Sequence, residues 1–230
     1  MIFAGIAKTS LVDFPGKIAT VLFTPGCDYD CFYCHNRSLI EDFQDIVPNE
    51  EIEEFLTKRV GLVDGVVITG GEPTLHSDLI SYMIKLKGMG YLTKLDTNGS
   101  HPEIVEKCIE AKAVDYYAVD YKAPKDRYKE ICRGESDADV VLQTISLLLS
   151  ANQDFEVRTT VIPQLTLEDL ITMAEELPLV PKYTLNPYKK PLHFREEDRA
   201  LIEAQPYSEK DIAAFAETLK LYQPNTVLVF

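Results

Sequence analysis

Gly26-Cys27-Asp28-Tyr29-Asp30-Cys31-Phe32-Tyr33-Cys34-His35-Asn36-Arg37 sets three cysteines in a Cys-x3-Cys-x2-Cys pattern directly after an apolar, β-prone run at 18–24. That spacing puts three thiolates on one small loop. It suits three irons of a 4Fe-4S cubane and leaves the fourth iron without a protein ligand. An electron-transfer cluster normally takes a fourth Cys, and a closed structural zinc site takes four ligands. The three-Cys set therefore points to an exogenous ligand on the open iron.

Two blander uses of the cysteines fit less well. Cys34-His35 offers a fourth zinc ligand, but adjacent side chains diverge and zinc sites usually pair two separated half-sites. A disulfide framework meets an odd total of five cysteines and an N-terminus, 1–7, with no basic region leading into a long apolar stretch. With 46% hydrophobic and 26% charged residues in 230, the chain can bury one sizeable core. A single domain is expected, with an N-terminal extension at about 1–17 and a C-terminal helix and tail at about 208–230. No run approaches the length that spans a bilayer, so the expectation is a soluble, cytoplasmic protein that does not enter a membrane. Lys and Arg total 23 against 37 Asp and Glu, and the resulting charge of -14 disfavours a nucleic-acid partner.

Outward from the cysteines, short β-rich runs alternate with amphipathic stretches, the pattern of parallel strands joined by crossover helices. Strands are predicted at 18–24, 65–69, 92–97, 116–120, 155–162 and 182–186, and helices at 49–59, 78–89, 102–111, 138–151 and 167–177. Asn49 reads as an N-cap ahead of Glu50 and Glu51, and Ser208 with Asp211 starts a final helix to about Tyr222, before a short apolar tail at 226–230. Six βα units are too few to close an eight-stranded barrel.

Each strand end carries polar residues. After the second strand stands Thr69-Gly70-Gly71-Glu72-Pro73, where the glycines permit positive φ and close approach of a ligand, and the carboxylate stands ready for an ammonium group. The third strand ends Leu95-Asp96-Thr97-Asn98-Gly99 and the fourth Val119-Asp120-Tyr121-Lys122. A plain turn at Asn98-Gly99 and a strand-end ion pair between Asp120 and Lys122 are the ordinary readings of those residues. Arg158, between apolar and β-branched neighbours, needs a carboxylate, either the protein's or a ligand's.

The cysteine run and the Gly-Gly-Glu-Pro segment together resemble the radical S-adenosylmethionine (SAM) superfamily, and within it the activating enzymes of glycyl-radical proteins. In that family the methionine part of SAM chelates the open iron, and a reduced cluster cleaves SAM to a 5'-deoxyadenosyl radical. The resemblance implies an α/β fold, an open partial (β/α)6 barrel, with motifs at strand C-termini facing the active site. It implies a 4Fe-4S cluster on Cys27, Cys31 and Cys34 with no further catalytic residue. It also implies SAM contacts from Tyr33, Gly70, Gly71, Glu72, Pro73, Asp96, Thr97, Asn98, Asp120, Lys122 and Arg158, and a monovalent cation near Asp96 and Asp120. The family match assigns Arg158 to the SAM carboxylate.

The partners implied are a glycyl-radical enzyme and a reductant of flavodoxin or ferredoxin type. Three features resemble the activators of anaerobic ribonucleoside-triphosphate reductase: Lys8-Thr9-Ser10-Leu11-Val12-Asp13-Phe14-Pro15-Gly16, Arg158-Thr159-Thr160-Val161, and Lys189 where activators of pyruvate formate-lyase carry a His. His193, four residues on, reads as a surface residue. Alternatives are a pyruvate formate-lyase activator, a small-molecule radical SAM enzyme such as a 7-carboxy-7-deazaguanine synthase, and a non-catalytic Fe-S or zinc module. Cys108 reads as a small buried thiol and Cys132 as a loop residue, too isolated for a second cluster.

Anaerobic reconstitution should load about four irons per chain, the stoichiometry of one cubane. Cys27→Ala, Cys31→Ala and Cys34→Ala should each abolish loading, while Cys108→Ala and Cys132→Ala retain it. Wild-type protein that holds zinc and takes up no iron in metal analysis overturns the cluster.

Overall fold

Runs of apolar, β-branched residues become strands buried on both faces, as in Val66, Val67 and Ile68, each 0% exposed. In the computed structural model, which describes residues 1–41 and 46–229, the strands are β1 (Gly5–Ser10), β2 (Ala19–Thr24), β3 (Gly65–Gly70), β4 (Leu92–Thr97), β5 (Tyr116–Asp120), β6 (Phe155–Val161), β7 (Tyr183–Pro187) and β8 (Thr226–Leu228). The helices are α1 (Arg37–Glu41), α2 (Asn49–Arg59), α3 (Leu79–Gly88), α4 (Pro102–Glu110), α5 (Tyr128–Cys132), α6 (Ala138–Ser150), α7 (Leu167–Glu176), α8 (Arg199–Ile202) and α9 (Glu209–Leu219). The strands follow chain order in one open α/β sheet, β1 to β8. β1 is antiparallel to β2, and the registered pairs from β2 to β4 and from β6 to β8 are parallel.

The six expected strands are β2 to β7, each bounded within one residue of its expected end. The sequence reading omits β1 and β8. The start of the chain supplies an edge strand of mixed polarity, half exposed. The expected tail is β8, paired in parallel with β7 at Tyr183↔Thr226, and Phe230 lies outside the described residues. Asn49 is not the cap of α2. Pro48 is, and Asn49 is the first helical residue, so the helix start relies on Glu50 and Glu51 rather than on a side-chain cap. Ser208 does cap α9, in a capping box with Asp211. Among the described residues no helix is long and apolar enough to cross a membrane.

By contacts the chain forms two compact units: Met1–Cys27, Ser38–Thr97 and Glu103–Ala118 in the first, and Asp28–Arg37, Asn98–Pro102 and Val119 onward in the second. In the first unit Phe14 is 5% exposed and packs with Ala19, Val21 and Val67. Its ring lies where a side chain on Gly65 would stand, 2.9 Å from that position, and 6.1 Å from the ring of Tyr116. Ser10 Oγ, which donates to the Asp13 carboxylate and accepts from the Val12 and Asp13 amides, shapes the turn that delivers it. The 8–16 motif thus closes the start of β2 and β3. In the second unit Thr159 Oγ1 bonds the Tyr121 carbonyl at 2.6 Å and the Tyr183 hydroxyl at 2.9 Å, and Gln223 Nε2 donates to the Ala174, Leu177 and Pro178 carbonyls.

Phe14→Ala removes a buried ring and should cost about 3 to 5 kcal/mol. Urea melts should show the midpoint fall with an unchanged slope.

Candidate cluster and cofactor site

In the first unit the parallel ladder of β2 and β3 runs on past the strands. Thr24 pairs with Gly70, the Gly71 amide donates to the Thr24 carbonyl at 2.8 Å, and the Glu72 amide donates to the Gly26 carbonyl at 2.8 Å. A Cβ on Gly70, whose φ is +124°, would stand 2.3 Å from the Thr24 nitrogen, and one on Gly71 would stand 1.8 Å from the Gly26 oxygen. The glycines are required because the chain's own backbone comes close. His76 Nε2 lies 3.0 Å from the Pro25 carbonyl and the Gly26 amide reaches the Leu39 carbonyl at 2.8 Å. The residue before Cys27 is therefore fixed from both sides.

Glu72 is 0% exposed. Its Oε1 accepts from the Thr74 amide at 3.0 Å, the Thr74 hydroxyl at 2.6 Å and the Thr97 hydroxyl at 2.7 Å. It also caps the short 3-10 turn that starts at Pro73. Through these bonds the Glu72 carboxylate ties the loop after β3 to the end of β4. Asp96 meets the Lys94 ammonium at 2.5 Å, with the two side chains 8% and 1% exposed. Lys94 sits two residues away on the same face of β4, and the sequence reading missed it. Its signal was a lysine inside a strand buried on both sides with an acid at i+2.

The second unit holds Cys31 and Cys34, together with Tyr33, which is 7% exposed. Arg37, 2% exposed, turns back into the loop, donating to the Cys31 carbonyl at 2.5 Å and pairing with Asp30. Asp30 also meets Arg195 at 2.6 Å. Burial alone would raise the Asp30 pKa, but the two guanidiniums hold it below the usual carboxylate range. The Asp30 amide donates to the Cys132 carbonyl at 3.0 Å. Cys132 is thus not a loop residue: it ends α5, fully buried, against an expected cluster ligand. The neighbouring Cys132 thiol lowers the Cys31 pKa and burial opposes it, with Lys122 and Arg37 adding to the lowering. Burial pushes Cys34 up.

Asp120, Lys122 and Arg158 come together in the second unit. Lys122 Nζ donates to Asp120 Oδ2 at 2.9 Å and Arg158 Nε to Asp120 Oδ1 at 3.0 Å. Burial would raise the Asp120 pKa, but the two cations hold it far below the carboxylate range. Burial would likewise depress Lys122, and Asp120 more than offsets it. Of the two partners open to Arg158, the protein carboxylate is one it takes. Within the chain, Asp96 is met by Lys94, and Asp120 by Lys122 and Arg158. Asn98 Nδ2 donates to Asp28 at 2.8 Å and its Oδ1 accepts from the Ser100 amide at 2.9 Å, so this amide shapes a turn and clasps the residue after Cys27. Lys189 offers its main-chain carbonyl to His35 Nε2 at 2.6 Å, and His193 is exposed.

The residues fit a sulfur-ligated cluster by donor chemistry and by what is left unpaired. The buried hydroxyls of Tyr33 and Tyr128 have no hydrogen-bond partner among the described residues, and each lies close enough to Cys31 and Cys132 to be influenced by them. Such orphaned donors are costly unless a bound group supplies acceptors. Among the described residues no three His, Cys, Asp or Glu side chains converge as the ligands of one ion would. Thiolates that each take a separate iron have no need to.

The family described as Radical SAM superfamily matches residues 21–177. A Methanocaldococcus jannaschii protein named "Putative glycyl-radical enzyme activating enzyme" is 33% identical over 231 residues, 98% of this chain and 94% of the relative. The pyruvate formate-lyase-activating enzyme of Streptococcus mutans is 29% identical, covering 77% of this chain and 73% of that protein. Among solved structures, Streptococcus suis SuiB bound to precursor peptide SuiA superposes with a TM-score of 0.70 at 16% identity, and the chain covers 48% of its length. That likeness concerns the fold.

Asp120→Asn leaves two cations without their carboxylate and should cost about 1 to 3 kcal/mol of stability. Because the folded pKa of Asp120 is depressed, its contribution is fully present above the unfolded value of about 3.9 and lost as pH falls toward the folded one. The gap between wild-type and variant stability in denaturant melts should be constant from about pH 5 to 8 and shrink below about pH 4.

Proposed function

The chain belongs to the radical SAM superfamily, and on that premise we propose that it is an activase that generates a glycyl radical on a partner enzyme, the anaerobic ribonucleoside-triphosphate reductase. The observation that carries this reading is the end-to-end similarity to the Methanocaldococcus jannaschii relative, over 98% of the chain. We assign the cluster to Cys27, Cys31 and Cys34. When bound there, the cluster and SAM would supply the reductive radical chemistry needed to remove a hydrogen atom from a glycine Cα. Glycine suits the step because it has no Cβ to obstruct approach, and its radical is planar and stabilised by both flanking groups.

The chain's own part is to bind, orient and exclude water. The Gly70-Gly71-Glu72 backbone, locked to Thr24 and Gly26, gives fixed carbonyls and amides beside Cys27. Lys122 and Arg158 give a cationic pair, held by Asp120 and suited to a carboxylate. Tyr33 and Tyr128 contribute buried phenols in want of acceptors. The choice of reductase as partner rests on resemblance at 8–16, at 158–161 and at Lys189. Phe14 and Thr159 within those motifs serve packing in this chain. A pyruvate formate-lyase activator is the second reading, favoured by the Streptococcus mutans relative.

Mixing the reconstituted protein anaerobically with SAM, a reductant and the reductase of its own organism should produce the EPR doublet of a glycyl radical. A radical that forms on a pyruvate formate-lyase while the reductase stays silent transfers the assignment to the second reading.

A further inference from the structure

Within the second unit the end of α5 and the residues after it lie against the cysteine loop. The Asp30 amide donates to the Cys132 carbonyl at 3.0 Å, and the Glu135 amide donates to the Asp28 carbonyl at 2.9 Å. The Arg133 guanidinium lies 5.8 Å from the centre of the Phe32 ring. Asp30 and Phe32 flank Cys31, so the contacts on either side of that cysteine fall on Cys132 and on the residue after it. The approach is tight: a Cβ on Gly134 would stand 2.4 Å from the Asp28 carbonyl oxygen. It is also fastened from outside the loop. Arg133 grips Asp198, which is 2% exposed, through two bonds at 3.0 and 2.6 Å. The φ of Arg133 is +51°, a conformation that residues with a Cβ rarely adopt, so the grip holds a strained residue next to Cys132. Cys31 and Cys132 are 6% and 0% exposed. Of the groups around Cys31, the Cys132 thiol acts on it most strongly.

We propose that Cys31 and Cys132 form a modification site, a thiol pair that closes to a disulfide when a peroxide reaches the chain without its cluster. The consequence for the cluster rests on the proposed function, in which Cys31 holds an iron. The Cys31 sulfur attacks the O–O bond of hydrogen peroxide and becomes a sulfenic acid as water leaves. The Cys132 sulfur then displaces the hydroxyl from that sulfenic acid, forming the S–S bond and releasing a second water. Two thiols lose two electrons and two protons, and one peroxide becomes two waters. A sulfenic acid with no thiol beside it goes on to sulfinic acid, which a dithiol does not reverse, whereas a disulfide returns to thiols by exchange. Cys132 therefore acts as a resolving cysteine. It withdraws one cluster ligand while oxidant is present and preserves that ligand for reloading.

The test uses the full chain, stripped of iron anaerobically with a chelator and treated with hydrogen peroxide. Trypsin cuts after Lys17, Arg37, Lys129 and Arg133, so a non-reducing digest should show residues 18–37 joined to residues 130–133 in the mass spectrum. The joined peptide should be absent from Cys31→Ser and Cys132→Ser and present in Cys34→Ser. The cross-linked chain should take up no iron on reconstitution, and about four per chain once dithiothreitol is added. Cys132→Ser should load fully when never oxidised. After peroxide it should carry two extra oxygens on Cys31, and dithiothreitol should not restore its loading. A disulfide confined to residues 18–37, no disulfide at all, or equal recovery by wild type and Cys132→Ser overturns the resolving role while the proposed function stands. Full iron uptake by the cross-linked chain overturns it together with the assignment of Cys31 to the cluster. A wild-type chain that takes up no iron although never oxidised overturns the proposed function, and the peptide map still decides the thiol pair.

Discussion

The geometry on which the first unit's candidate residues depend is a backbone contact. Two amides, those of Gly71 and Glu72, reach the carbonyls of Thr24 and Gly26 and carry the β2–β3 ladder beyond the sheet. A side chain at either glycine would penetrate the facing backbone. The first cysteine is therefore delivered by a strand-like segment rather than by a free loop. Glu72 then fastens this arrangement to β4 through Thr97.

Charge follows the same logic in both units. Two acids at strand ends have a cation within the chain: Asp96 has Lys94, and Asp120 has Lys122 and Arg158. An ion taken out of water is tolerated only with such partners. In the second unit Arg37 does two jobs at once, holding the Cys31 carbonyl and neutralising Asp30. The cysteine loop is thereby shaped by main-chain and ionic contacts that need no metal to form.

The six central strands and six long helices were legible because burial on both faces writes continuous apolar runs, and helix faces write a period of 3.6. β1 and β8 were not, since an edge strand needs only one partner and shows a mixed pattern. Short helices such as α5 lack the length for periodicity, so Cys132 could not be placed against Cys31 from sequence. At the Gly-Gly-Glu-Pro motif the chain's own backbone at Thr24 and Gly26 comes close, which the sequence does not reveal because contacts 45 residues apart in the chain leave no local trace. Lys94, Arg37 and Arg195 were passed over for the same reason: a cation looks solvated until its partner is known.

The ladder beyond β2 also makes the interval from Thr24 to Cys27 a counted distance. Thr24 and Gly26 each offer a carbonyl to a specific amide, so a residue added between them would carry the Gly26 carbonyl off the Glu72 amide while Thr24 stays paired, and would turn the cysteine to the opposite side of the backbone. Between this strand and its first thiol the paired carbonyls leave no room for an insertion. The spacing ahead of Cys27 is thus as much a part of the signature as the spacing after it.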